Sequence, residues 1–427
     1  MELIANTNQQ VISPGKTKKT GTAKPFKFNP FVAEFHADPY PTYHRLRSYE
    51  PVHRNFLGSW VFTRYADVKA VLRDPRFRSD NLPQRIKNKN PYLKHQQKDL
   101  NALAGVTSKW LLYLEPPDHT RLRGLVSKAF YPGVVESMRP QIQEIVDELI
   151  SKVQQKGSMD IISELARPLP VHVISRMLGV PEEIQSQVYQ WANDLSDIFD
   201  PLNSLETFAH MNEVILKFSE SLRRLIAERE KKPQEDLISA LIAARDRDDK
   251  LSNDEILSVC MLLFGTGEET TVNLIGNGML ALLRHPDQME KLKREPTIIQ
   301  SVVEELLRYD SPIQGISRVA IENVEIGGKK ISAGEQVIVY LGAANRDPAQ
   351  FPDPDRLDFT RGENRHLAFS DGIHHCLGAT LARVEGQIAI NTLVQRLPDL
   401  KLPEDTLEWR KNISLRGLKA LPVTFTP

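Results

Sequence analysis

Cysteine is nearly absent. Cys260 and Cys376 are the only two in 427 residues, too few for a disulfide framework and suited to a reducing cytosol. An excess of charge of either sign is missing too. The 55 Lys and Arg balance 55 Asp and Glu, for a formal net charge of +0, which argues against a protein built to bind nucleic acid or another polyanion. No run approaches eighteen apolar residues, so no membrane anchor is expected. No Gly/Ser linker or internal repeat divides the chain. Residues 1–27 carry Lys16, Lys18, Lys19 and Lys24 without the apolar core of a signal peptide, and are expected to be a disordered tail. Residues 28–427 read as a single domain. A chain of this length buries roughly 75% of its unfolded surface, enough to enclose a large bound group.

What is present begins with FSDGIHHCLG, residues 369–378. Cys376 follows a Gly-containing turn and precedes a helix expected over 377–397, with Leu381, Ala382, Ile388 and Leu393 at helical spacing. A thiol there meets free N–H groups and the positive end of a helix, which favours thiolate, the form that binds metal or attacks carbon. Phe369 supplies an apolar wall, Gly372 permits a sharp turn, and Gly378 leaves the backbone open to a flat ligand. His374 and His375 flank the sulfur.

The pattern F-x-x-G-x-H-x-C-x-G is filled by Phe369, Gly372, His374, Cys376 and Gly378. It closely resembles the haem-ligand loop of the cytochromes P-450, the haem-thiolate monooxygenases. One departure is Ser370, where that family usually has Gly. The resemblance makes Cys376 the ligand to the iron of haem b (iron protoporphyrin IX). It covers about residues 30–425 and looks most like the soluble bacterial branch. The fold implied is mainly α with small β-sheets, the family's triangular prism, with haem between a long central helix and the Cys-ligand helix.

Taken in order, residues 38–80 mix short helices with strands around Val52 and Trp60–Thr63, like the family's β-rich lobe. Residues 80–110 lose periodicity and carry Arg85, Lys87, Lys89, Lys94 and Lys98. They are expected to be a loop, which in the family caps the substrate pocket. In EPPDHTRLRGLVSKAF, Pro116 and Pro117 set up a helix start. His119 and Arg123, four apart, share a face and resemble the family's H-x-x-x-R pair, which gives cationic partners to the haem propionates. Amphipathic helices follow to about 246, with breaks near Gly157, Pro181, Asp200-Pro201 and Pro233. Within them, 185–215, with Trp191, Phe199, Phe208 and Met211, matches the family's lid.

A helix over 253–284 is expected next, opened by a Ser252/Glu255 capping box and closed by His285-Pro286. Its first half is apolar all round, so it must run through the interior. In its middle, Gly265-Thr266-Gly267-Glu268-Glu269-Thr270-Thr271 places costly glycines and carboxylates. This stretch resembles the family's A-G-x-[DE]-T signature, with Thr266 in place of the usual Ala. The resemblance makes Glu269 and Thr270 a proton relay, has Gly267 leave room for dioxygen, and puts the Thr266 hydroxyl near oxygen or substrate. Further on, Glu305 and Arg308 resemble the family's E-x-x-R, with Arg356 as the expected third member. Arg318 aligns with another propionate donor, and His374 would be a further one. Strands are expected over 331–341 and 417–425, with a turn at Gly327-Gly328. Ile313–Ser317 and Asn412–Leu415 match the remaining pocket edges.

The resemblance implies a cytoplasmic enzyme that inserts one oxygen atom from dioxygen into an apolar organic substrate, by hydroxylation or epoxidation. Electrons would come from a ferredoxin or flavodoxin and its reductase, docking near Arg121, Lys128, His375 and Arg383. A peroxide-driven peroxygenase is one alternative, although the family's peroxygenases typically lack the acid–Thr pair. A non-catalytic haem sensor would have no need of Glu269 and Thr270. A cysteine hydrolase would leave His119, Arg123 and Arg318 without a role.

Overall fold

The helix Asn253–Arg284 is the axis on which the other elements pack. Its 32 residues span about 48 Å. Both halves of the capping box form. Ser252 Oγ accepts from the Glu255 N–H, and the Glu255 carboxylate accepts from the Ser252 N–H at 2.8 Å. His285 ends the helix because Pro286 cannot continue it. Apolar on every side, the helix is enclosed by Pro168–Leu178, Glu182–Ser196, Leu205–Lys231, Ile299–Tyr309 and Ala379–Arg396. The computed structural model describes residues 28–96, 98–200, 203–245, 251–403 and 407–427. The tail 1–27, the break at Pro201 and the side chain of Lys94 lie outside the described residues.

The main sheet has five strands in the order β1-β2-β8-β5-β3. They are β1 (Val52–Arg54), β2 (Trp60–Phe62), β3 (Phe77–Ser79), β5 (Gly315–Ala320) and β8 (Gln336–Tyr340). Only β2–β8 is parallel, with Trp60 opposite Val337. Val52, Phe62, Phe77, Val337 and Val339 form its buried face. Two ribbons complete the β structure. One pairs β4 (Ser158–Asp160) with β9 (Pro422–Thr424), the other β6 (Val324–Ile326) with β7 (Lys329–Ile331). Gly327 and Gly328 make the β6–β7 turn, both at positive φ, as such a hairpin demands. The strand expected over 331–341 is thus divided between β7 and β8, and that over 417–425 shrinks to β9.

Residues 80–110 are not the loop expected. They form Leu82–Lys87, a 3₁₀ turn Asn90–Gln96, and Asn101–Thr107. Leu82, Ile86, Leu93, Leu100 and Leu103 are buried. Polar breaks between these short turns hide their period. Three basic side chains of this segment have partners within the chain. Arg85 pairs with Asp80, Lys98 meets Glu213 at 3.0 Å, and Lys89 lies over the Phe208 ring. The Leu103 N–H donates to Asn212 Oδ1 at 2.9 Å. This segment is therefore tied to the helix Leu205–Lys231. Phe208 and Met211 on that helix, and Trp191 on Glu182–Ser196, are buried core residues.

Candidate functional site

The Cys376 loop is fixed by its own backbone. The Cys376 N–H donates to Phe369 O at 2.9 Å, and the His375 N–H to Gly372 O at 3.1 Å. Gly372 has φ +73°, and a Cβ there would stand 2.4 Å from Leu72 O. No other residue fits. Ser370 also adopts a positive φ, +63°, a conformation that costs a side chain roughly 1–2 kcal/mol. The helix that follows runs Ala379–Arg396, with Gly378 as its N-cap, so it starts two residues later than expected. The thiol is open to solvent on one side. The protein packed on its other sides raises its pKa, and the Gly378 N–H, Arg123 and Arg383 only partly offset this.

Three donors converge nearby. His119 is 3% exposed and its Nε2 has no hydrogen-bond partner among the described residues. Its ring lies 4.7 Å from that of His374. Burial, then His374 and Arg123, push its pKa down to about 4. Arg318 is 4% exposed, donates to Ser317 O at 2.9 Å, and is lowered by burial to about 10. The β3–β5 register sets it opposite Ser79, whose Oγ is 3.3 Å from His374 Nε2. Arg123 turns the other way and donates to His375 O at 2.7 Å, bracing the thiol loop.

Glu115, which sequence reading missed, joins this group. Its carboxylate accepts from the Ser79 N–H at 3.0 Å and lies 3.7 Å from His374 Nε2. Its one signal was a carboxylate directly before Pro116-Pro117, which reads as an ordinary helix start.

On the central helix, Glu269 is buried and pairs with Arg410 at 3.0 Å. Glu268 is 0% exposed, 3.4 Å from Arg167, and burial lifts it to about 7. Thr270 Oγ1 donates to Thr266 O at 3.0 Å. Thr266 Oγ1 donates to Leu262 O at 2.7 Å, the same bond back to its own helix that Thr270 makes. The Cβ position of Gly267 lies 2.7 Å from Ile174 Cδ1. Its missing side chain lets two helices approach. Glu385 on the ligand helix is another acid missed from sequence. It accepts from Thr271 Oγ1 at 3.4 Å, and burial raises it to about 8.

One partner is corrected. Glu305 takes a bidentate pair from Arg308 at 2.8 Å, then Arg361 at 3.2 Å and Asn364 at 3.1 Å. Arg356 supplies only its backbone carbonyl, and its side chain is exposed. The four residues between 356 and 361 curl back on themselves, with the Arg361 N–H donating to Asp358 O at 3.2 Å, and that brings the later arginine to the carboxylate.

Residues 86–422 match the cytochrome P-450 family profile. This chain belongs to the cytochrome P-450 family. The polyketide-biosynthesis cytochrome P-450 PksS of Bacillus subtilis is 41% identical, over 93% of this chain and 98% of that protein. The 6-deoxyerythronolide B hydroxylase of Saccharopolyspora erythraea is 40% identical, over 91% and 96%. The crystal structure of P-450 BioI with acyl carrier protein carrying hexadec-9Z-enoic acid superposes with a TM-score of 0.86, at 42% identity, covering 92% of this chain and 99% of that one.

This P-450 is accordingly a haem monooxygenase with the family's fold. Its side chains fit the cofactor. The open thiol, the unpartnered His119 Nε2, buried Arg318 and the empty space beside Gly378 are what a flat dianionic macrocycle needs. Among the described residues no group of three or more His, Cys, Asp or Glu could hold a bare ion. Among the described residues, too, no helix is long and apolar enough to cross a membrane.

Behind the loop, Glu304 takes Arg383 at 2.6 and 3.0 Å and His366 at 3.1 Å. The Arg383 guanidinium lies 4.4 Å from the Phe369 ring centre. Burial would raise the Glu304 carboxyl, but these partners outweigh it and hold it at about 2. A depressed carboxyl stabilises the fold above its ordinary value, and that contribution is lost as pH falls from about 4.5 toward 2. Glu304→Gln should therefore cost up to about 3 kcal/mol at pH 7, with the gap from wild type narrowing below pH 4.5. Denaturant midpoints across that range check this. A gap constant with pH contradicts it.

Proposed function

We propose that this P-450 hydroxylates or epoxidises an extended, largely apolar substrate in the cytoplasm, using dioxygen and electrons from a ferredoxin or flavodoxin. The observation that carries the reading is the open Cys376 thiol framed by buried, under-used donors, with a buried acid next to half-buried Thr270 on the central helix. Relatives named for polyketide biosynthesis and 6-deoxyerythronolide B hydroxylation support a long acyl- or polyketide-type substrate. Cys376 would hold the iron of haem. His119, Arg318 and His374 would bind its carboxylates, Arg123 supports the loop, and Phe369 and Gly378 would pack against the cofactor. Haem, when bound, supplies the iron that binds and activates dioxygen.

The chain's own residues then control protons and water. Thr270 Oγ1 donates to a helix carbonyl while its lone pairs remain to accept a proton. The Glu269 carboxylate, one residue back, passes protons from the side where Arg410 is partly exposed. The latched cap and lid exclude bulk water, which keeps the oxidant on the substrate. This acid–Thr pair supports dioxygen over peroxide as oxidant. Thr270→Ala should bind haem and consume reductant, yet release more hydrogen peroxide and less product. An unchanged ratio of product to reductant would show that protons arrive by another route.

Electron delivery is reassigned among the basic residues. Arg121 is paired with Glu255 and Arg383 with Glu304, so neither presents a bare charge. Lys128 and His375 are exposed, with the apolar Tyr131, Val134 and Ile373 also exposed. Lys128 is therefore the steering charge for an acidic donor. Lys128→Glu should slow reduction several-fold at low salt, with the difference vanishing at high salt. Equal rates at both ionic strengths would exclude this face of the chain as the docking site.

A further inference from the structure

Glu269 is tied to a segment far along the chain. Arg410 Nη1 lies 3.0 Å from its carboxylate, which is 3% exposed against 26% for the arginine. Arg410 belongs to a tip, residues 409–418, that is braced internally. Trp409 bridges to Leu418, and the Arg410 N–H donates to Gly417 O at 2.9 Å. Asn412 Oδ1 accepts from the Ser414 and Leu415 N–H groups. The Arg416 guanidinium lies 3.6 Å from the Trp409 ring centre.

The tip is also seated on the central helix. Asn277 Nδ2 donates to Arg416 O at 2.9 Å. Asn273 occupies the place of any Gly417 side chain, with a Cβ there only 1.8 Å from Asn273 Oδ1. The tip's outer edge joins the pocket wall, where Ile313 bridges to Leu415 and Ser414 O accepts from the Gln314 N–H at 2.8 Å. One short segment thus touches the pocket edge, the central helix and the acid.

We propose that Arg410 is a positioning residue that keeps Glu269 ionised and oriented, so that the seat of the tip on the central helix sets when this acid can carry a proton. The inference rests on the reading of Glu269 as a proton carrier. The charged groups around it are Arg410 from the tip, Glu268 beside it on its own helix, Arg167 facing Glu268, and Glu385 on the ligand helix against Thr271. With the guanidinium removed, a buried carboxylate next to a second one loses a partner that favours its charged form.

The test uses the haem-loaded full chain and the infrared band of protonated carboxyl groups, assigned to Glu269 by its loss in Glu269→Gln. In Arg410→Gln the Glu269 titration should move up by about 1–3 pH units, and Arg410→Lys should restore most of it. Gly417→Ala leaves Arg410 in place but lifts the tip off Asn273, and should shift the titration in the same direction. Haem content should hold in all of them. If Arg410→Gln leaves the titration unmoved, or the lysine does not restore it, the inference is overturned. In that event a drop in product per reductant in Glu269→Gln still upholds the acid's role. If Glu269→Gln changes neither that yield nor its solvent isotope effect, the underlying reading fails, and the inference with it.

Discussion

The loop before the ligand helix must keep one sulfur accessible while fixing it from every other direction. Backbone bonds from Phe369 and Gly372, the approach of Leu72 O to Gly372, and the Arg123 bond to His375 O together hold Cys376 still. Ser370 keeps a left-handed backbone without being glycine, so the surroundings over-determine that turn. Behind it, Glu305 gathers Arg308, Arg361 and Asn364 in the interior. Removing Glu305 would leave the fully buried Arg308 guanidinium without its counter-charge, which costs several kcal/mol.

Buried acids give the centre of the molecule its character. Glu268, Glu269 and Glu385 sit among apolar helices, and each has a different partner: Arg167, Arg410 and the Thr271 hydroxyl. Only arginine is used for the first two. Its charge persists when desolvated and its planar fork suits a carboxylate. The partnerships therefore divide the acids by chemistry. Burial lifts Glu268 to about 7 and Glu385, held by the Thr271 hydroxyl, to about 8. A site that moves protons near neutrality needs carboxyls in that range.

The central helix could be read to the residue because its signals are local: Ser252 and Glu255 at one end, His285-Pro286 at the other. The cysteine loop was legible because its residues lie within one turn of chain. What escaped depends on distance along the chain. Arg410 reaches Glu269 from the C-terminal tip, Arg361 displaces Arg356 by the curl of a loop, and Glu115 joins His374 only once β3 is paired. The segment 80–110 hid its helices because each is too short to show a period.

The central claim is that Cys376, and no other group, is the protein ligand to the haem iron. It is tested most directly by the absorption spectrum of the reduced, carbon-monoxide-bound protein, with haem content measured in parallel. The account predicts the red-shifted Soret band of thiolate ligation in the wild type. It predicts the loss of that band in Cys376→Ser at comparable haem content. A serine variant that retains the band would contradict it, because some other side chain would then hold the iron.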